Sequence, residues 1–169
     1  MQSSSIESAS VLLPAEAWAI DAGASTVGFQ VRHFHFSTVE GDFSRFAGDL
    51  GPWGAAGSVD VASVDTGSEI RDARLRSEFF DAESFPLITF ETDGPICATT
   101  PGRLMIRGVA RPLTFQVERD NDGEVLRLLA RAKISRKAYG LDWAALREAG
   151  RLVVSDRVDI RIELVARPV

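Results

Sequence analysis

His33 and His35 stand two residues apart in "VRHFHFS", and their types and spacing are the first in the chain that could do chemistry. On a strand, that spacing sends both side chains out of one face, which suits two ligands of one metal ion. A metal centre needs a third or fourth ligand, and the chain holds no other histidine, so a carboxylate from elsewhere would have to complete it. No particular Asp or Glu is marked for that task. The plainer expectation is one buried histidine with a hydrogen-bond partner and one near a strand end, with no metal. The catalytic alternative makes His33 a general base toward a small apolar or amide-bearing substrate.

Other reactive groups give less. A single cysteine, Cys97, excludes an intramolecular disulfide and a cysteine-based structural zinc site. Its neighbours in "GPICATT" supply no cation to lower the thiol pKa, so an inert thiol is expected. There is no Gly-x-Ser-x-Gly elbow, and "GPWGAAG" reads as a loop rather than a phosphate cradle. The carboxylate pairs Asp156 with Asp159 and Glu78 with Asp81 lie in strongly charged surroundings, the pattern of surface residues rather than of a tuned acid and base. No catalytic residue is assigned.

The elements that must position these groups are strands. Val27, Phe29, Val31 and His33 alternate with Gly28, Gln30 and Arg32, the period of a strand with one buried face. "GRLMIRG" and "RPLTFQVER" repeat the pattern, and the last strand is the cleanest, with Val158, Ile160, Ile162 and Leu164 against Asp159, Arg161 and Glu163. "LITFET" and "GEVLRLLARAKI" are further strands, and "AAGSVDVASVDT" is a weaker one. Turn signals at Gly51-Pro52, Asp93-Gly94-Pro95, Pro101-Gly102, Gly108 and Asp122-Gly123 separate them. Short connections and one polar face per strand predict an antiparallel sheet, rolled into a barrel or folded into a sandwich. The βαβ rhythm of a nucleotide-binding fold is missing. One helix is expected in "DTGSEIRDARLRSEFFD", where Thr66 and Glu69 have the spacing of a capping box and Leu75 and Phe79 follow at i, i+4. "SRKAYGLDWAALREAG" is irregular, with room for a second helical turn.

Composition bounds the rest. A chain of 169 residues can bury a core without staples, and its 45% apolar and 25% charged residues are those of an ordinary globular protein. A net charge of −5 argues against a nucleic-acid partner. Residues 1–14, rich in Ser and Ala, read as a flexible leader, and 15–169 as a single domain. The N-terminus lacks the basic start and apolar run of a signal peptide, and no stretch approaches the roughly 18 to 20 apolar residues of a membrane span. A cytoplasmic location is therefore expected, or a periplasmic one if a leader has been removed. Ten phenylalanines, three tryptophans and one tyrosine are the remaining excess. A barrel of about eight strands is near the size at which side chains either fill the interior or leave room for one small ligand. The residues alone leave both open.

Several segments together resemble the YceI-like family of polyisoprenoid-binding proteins. They are "WAIDAGASTVGFQVRHFHFSTVEGDFSRFAGDL", "VDTGSEIRDARLRSEFFDAESFPLITFET", "GRLMIRGVARPLTFQV", "AKISRKAYGLDW" and "VVSDRVDIRIEL", in the family's order from Trp18 to about Val165. The resemblance implies an eight-stranded antiparallel lipocalin-like β-barrel with one or two short helices. It implies an apolar tunnel that holds an isoprenoid or another long apolar lipid, for example an isoprenoid quinone tail, for storage or transport. No cofactor is required and no catalysis expected. The tunnel lining expected from it is Phe29, Val31, His33, Val39, Phe43, Phe46, Phe79, Phe80, Phe90, Ile106, Phe115 and Trp143. Arg71, Asp72 and Arg136 are expected to fix loops by ion pairs or to meet a polar head group. Gly41, Leu75, Gly108 and Gly140 also match the family's motifs. The chain departs from that pattern at Ala24 and Arg74, where many members have histidine, and at Tyr139, usually phenylalanine. A structural or stress-response role is the remaining alternative, and a homodimer through a strand edge or the helix is left open.

Overall fold

The computed structural model of the protein describes residues 17–33, 37–142 and 154–169, with side chains described at all of these except His33. The leader expected at 1–14, His35 and Trp143 lie outside the described residues, as does the His33 side chain.

Eleven strands form one antiparallel sheet: β1 (Trp18–Ile20), β2 (Thr26–His33), β3 (Ser37–Phe43), β4 (Phe46–Gly51), β5 (Gly54–Asp60), β6 (Val64–Asp65), β7 (Leu87–Thr92), β8 (Thr99–Ile106), β9 (Val109–Asn121), β10 (Leu126–Ser135) and β11 (Val154–Pro168). The register shows that six of them are three long strands, each broken once. Trp18 pairs with Leu50 and Gly28 with Asp42, so β1–β2 runs continuously against β3–β4. Likewise Phe46 pairs with Val59 and Phe43 with Val64, so β5–β6 runs along the other side of β3–β4. β11 closes the ring, pairing with β10 on one edge and with both β1 and β2 on the other. The result is an eight-stranded antiparallel barrel, as expected.

The breaks are corners that let long strands curl. Each is sealed by short polar side chains. Asp21 caps the 3₁₀ turn Ala22–Ala24 by accepting from the Gly23 N–H, and Ser25 Oγ accepts from the Val165 N–H at 2.9 Å. At the next corner Ser63 Oγ accepts from the Arg45 N–H (3.1 Å), while Arg45 Nε donates to Asp60 Oδ2 (2.8 Å). Alternation then sorts the faces. In β8 the residues alternate exposed and buried from Thr99 to Ile106, and Leu113, Phe115 and Val117 of β9 are buried between exposed neighbours. The β8–β9 turn, Arg107-Gly108, has φ of 49° and 75°, the left-handed pair that a two-residue hairpin needs.

The two barrel ends differ. At one, the register brings Trp18, Leu50, Leu126 and Ala166 close together, all buried, and Ile96 folds in from the β7–β8 loop. The other end carries α1 (Glu69–Arg74) and the 3₁₀ turn Lys137–Tyr139. The cap of α1 is a correction to the expected capping box: Ser68, not Thr66, is the N-cap, with its Oγ accepting from the Arg71 N–H at 3.3 Å. Thr66 is engaged elsewhere, donating from both its N–H and its hydroxyl to Asp72 Oδ1. Beyond Arg74 the helix widens into a π turn, Leu75–Phe79, and the Phe80 N–H reaches back to the Leu75 carbonyl at 2.8 Å. No helix among the described residues is long and apolar enough to cross a membrane.

Candidate functional site

Inside the barrel is a cavity of about 600 Å³, within the range of roughly 300–1,000 Å³ typical of small-molecule sites. Ten of the twelve expected tunnel residues line it: Phe29, Val31, Val39, Phe43, Phe46, Phe79, Phe80, Phe90, Ile106 and Phe115. The other two, His33 and Trp143, have no described side chains.

The inward faces of the strands supply these side chains by simple alternation, and the π turn adds two more. Because the turn is wider than an α-helix, consecutive residues Phe79 and Phe80 both reach the lumen, ring centroids 4.9 Å apart and edge-on. The aromatic chain continues from Phe80 to Phe43 (6.2 Å) and from Phe43 to Phe29 (5.6 Å). On another part of the wall Phe90 and Phe115 meet edge-on at 4.9 Å.

Sequence reasoning left out much of the remaining wall. Val158, Ile160, Ile162 and Leu164 of β11 and Ala130 and Ile134 of β10 also line the cavity. The alternation of β11 was visible, but a wall residue and a core residue share that pattern. Gly48 and Gly57, paired across β4 and β5, leave no inward side chain, so the lumen there extends to the backbone. Only the small-residue content of "FAGDLG" and "GAAGSVD" could have signalled this.

Charged groups on the described wall are few, and its three arginines are at the end that carries α1. Asp72, 6% exposed, does not line the cavity; it holds the turn before α1 through Thr66. Arg71 Nε donates to Thr66 Oγ1 and Nη2 to the Thr66 carbonyl, both at 2.7 Å. Arg136, 8% exposed, donates to three backbone carbonyls, those of Ser155 (3.1 Å), Leu141 (2.9 Å) and Val154 (3.1 Å). These residues fix loops, but through hydrogen bonds to Thr66 and backbone carbonyls rather than the expected ion pairs. Arg71 and Arg136 also line the cavity, as does Arg74.

The groups considered for chemistry are placed otherwise. Asp156, expected as a surface residue rather than a tuned acid or base, is half-buried and accepts from the Ser135 hydroxyl (2.7 Å) and the Lys137 N–H (3.0 Å). Those two bonds, with the nearby Arg136 and Lys137 charges, hold its carboxyl below the usual carboxylate value. Cys97 Sγ lies 3.7 Å from the Pro95 carbonyl. Among the described residues no group of three or more His, Cys, Asp or Glu could hold a metal ion. The arrangement as a whole is an apolar container with cationic groups near one end, suited to taking up a long apolar molecule.

Comparison with known proteins agrees with this architecture. The model of the YceI-like domain matches residues 18–166. The UPF0312 protein SA2479 of Staphylococcus aureus is 30% identical over 161 residues, covering 86% of this chain and 93% of that protein. Among solved structures, a polyisoprenoid binding domain from Saccharophagus degradans superposes with a TM-score of 0.79 at 18% identity, covering 91% of this chain and 99% of that one. Burkholderia cenocepacia BcnA superposes with a TM-score of 0.75 at 23% identity, covering 86% and 98%. These structural likenesses speak to the fold. With a domain match across nearly all of the described barrel, the chain belongs to the YceI-like family.

Proposed function

We propose that the protein binds an isoprenoid or another long apolar lipid, such as a quinone tail, inside its barrel, and stores or carries it without chemical change. The observation that carries this reading is the cavity of about 600 Å³ walled by phenylalanine and branched aliphatic side chains. Apolar area moved from water into such a lumen is stabilised by about 25 cal/mol per Å², before the costs of association. A tail of several isoprene units needs no strong polar contact to bind under those conditions. Selectivity for chain length is then loose until the tail reaches the closed end at Trp18 and Leu126. The likeness to a solved polyisoprenoid binding domain supports the ligand class.

Native mass spectrometry of the purified protein, followed by organic extraction, tests this. A released species, or an added isoprenoid series, bound in the folded protein and lost in Phe29→Asp is the expected result. Unchanged occupancy in a folded Phe29→Asp protein overturns the reading.

A further inference from the structure

Among the described residues, the charged ones that line the cavity are Arg71, Arg74, Arg136 and Asp49. The three arginines share one barrel end. Arg71 and Arg74 are on α1, and Arg136 directly follows β10 where Leu141 and Val154 come together. Asp49 is on β4, paired with Ala56 and next to Leu50 of the closed end. In a chain with 24 acidic and 19 basic residues, the lining charge at the α1 end is wholly positive among the described residues.

Arg136 is the unusual member. A guanidinium carries five N–H donors, and three are used on the carbonyls of Ser155, Leu141 and Val154, so two remain. The residue is 8% exposed, and no carboxylate among the described residues is bonded to it. Asp156, the acid whose charge reaches it, has one oxygen on the Ser135 hydroxyl and the other on the Lys137 N–H. A buried cation with donors left over is costly unless an acceptor of opposite charge meets it. Arg71 is already engaged by Thr66, whereas the Arg74 side chain is exposed and makes no hydrogen bond or ion pair to another described residue.

Building on the proposed lipid-binding role, we propose that the ligand is an amphiphile with an oxyanion head, a carboxylate or phosphate. Arg136 holds the head at the α1 end, Arg74 adds charge at the mouth, and the tail fills the apolar lumen. Charge-assisted bonds from a planar guanidinium suit either head.

The test is a titration of the full chain with matched probes: hexadecanoate against methyl hexadecanoate, and farnesyl phosphate against farnesol. Within each pair only the head changes. The expected result is that at least one oxyanion binds about ten-fold or more tighter than its neutral partner, the size of one charge-assisted bond. Whichever pair shows the larger ratio identifies the head as carboxylate or phosphate. Arg136→Gln should reduce that ratio to near one, and Arg74→Gln should lower it a few-fold with the fold unchanged. If Arg136→Gln fails to fold, Arg136→Lys replaces it and should retain only part of the preference. Equal binding of charged and neutral probes to the wild-type protein overturns the oxyanion head while leaving the apolar reading in place. A preference that survives in both Arg136→Gln and Arg136→Lys overturns the assignment to Arg136. Failure of all four probes to bind overturns the lipid-binding reading itself.

Discussion

The ring of Phe29 lies against Gly41, its register partner on the neighbouring strand, so closely that a Cβ at position 41 would sit 2.5 Å from Phe29 Cζ. Phe90 also lies over a glycine, Gly102, two residues along β8 from its register partner Leu104; an added Cβ there would be 2.5 Å from the Glu91 carbonyl oxygen and 2.8 Å from Phe90 Cε2. Each ring is folded onto a bare patch of wall instead of projecting across the lumen. This pairing explains how an interior so rich in phenylalanine stays hollow. The glycines supply the depth that the rings would otherwise take from the cavity.

Gly41→Ala should therefore push the Phe29 ring inward. The backbone at 41 needs no positive φ, and the contacted atoms belong to the Phe29 ring and to the Thr66 methyl group, which would sit 2.9 Å from the new Cβ. The fold should survive with a loss of about 1 to 2 kcal/mol from overpacking. Affinity for a long-chain probe should fall several-fold, and Phe29→Leu in the same chain should restore it. Denaturant melts and a probe titration measure both. Unchanged binding in Gly41→Ala would mean that Phe29 has room this geometry does not show.

Asp72 joins the turn before α1 to the helix. One oxygen of this buried carboxylate accepts the Thr66 N–H at 2.9 Å and also the Thr66 hydroxyl, whose oxygen in turn accepts from Arg71. Asp72→Ala leaves the Thr66 N–H without its partner and should cost about 2 to 3 kcal/mol, the range for bonds to charged groups. Asp72→Asn keeps a carbonyl acceptor and should cost clearly less. Urea unfolding midpoints of the two variants give the comparison, and equal losses would reject the hydrogen-bond account.

How far the sequence reveals this design varies from element to element. β11 was readable residue by residue, because Val158, Ile160, Ile162 and Leu164 face inward between charged neighbours. β5 was weakly marked, since its inward residues Ala55, Gly57 and Val59 are small and carry little hydrophobic contrast. The helix start was misplaced by two residues because Thr66 and Ser68 have the same capping chemistry. Tertiary bonding of Thr66 to Asp72 decides between them. Filled or hollow was not legible at all, because period-2 alternation looks the same for a core and for a cavity wall. What separates them is where Gly41, Gly48, Gly57 and Gly102 sit opposite bulky or absent side chains, and that is a property of register.

Tyr139 carries a hydroxyl that its buried setting does not use. The side chain is 2% exposed, the hydroxyl has no hydrogen-bond partner among the described residues, and burial pushes its pKa above the ordinary 10.0. An unsatisfied buried polar group costs roughly 1 to 3 kcal/mol. Tyr139→Phe should thus raise stability by about 1 kcal/mol, after allowing for the small void it leaves. Thermal denaturation at neutral pH reads this directly, and a destabilised Tyr139→Phe protein would show that the hydroxyl is bonded after all.

Acid sensitivity should run through Asp156. The Ser135 hydroxyl, then the Lys137 N–H, bond its charged form, and the Arg136 and Lys137 charges add to them, so its folded pKa lies below the ordinary 3.8. A depressed carboxylate pKa stabilises the folded state above the unfolded value, and that contribution disappears as pH falls through the folded one. The wild-type protein should accordingly be more stable than Asp156→Asn at neutral pH. The gap should hold down to about pH 4 and close below it, as protonation takes from the wild-type chain the charged partner of Ser135 and Lys137 that Asp156→Asn already lacks. Because the same segment presents the Ser155 and Val154 carbonyls to Arg136, Asp156→Asn should also loosen the arginine's setting. Melting temperatures of both proteins from neutral pH to about pH 3 test the sign: a gap that widens on acidification would mean that Asp156 is stabilised in its protonated form.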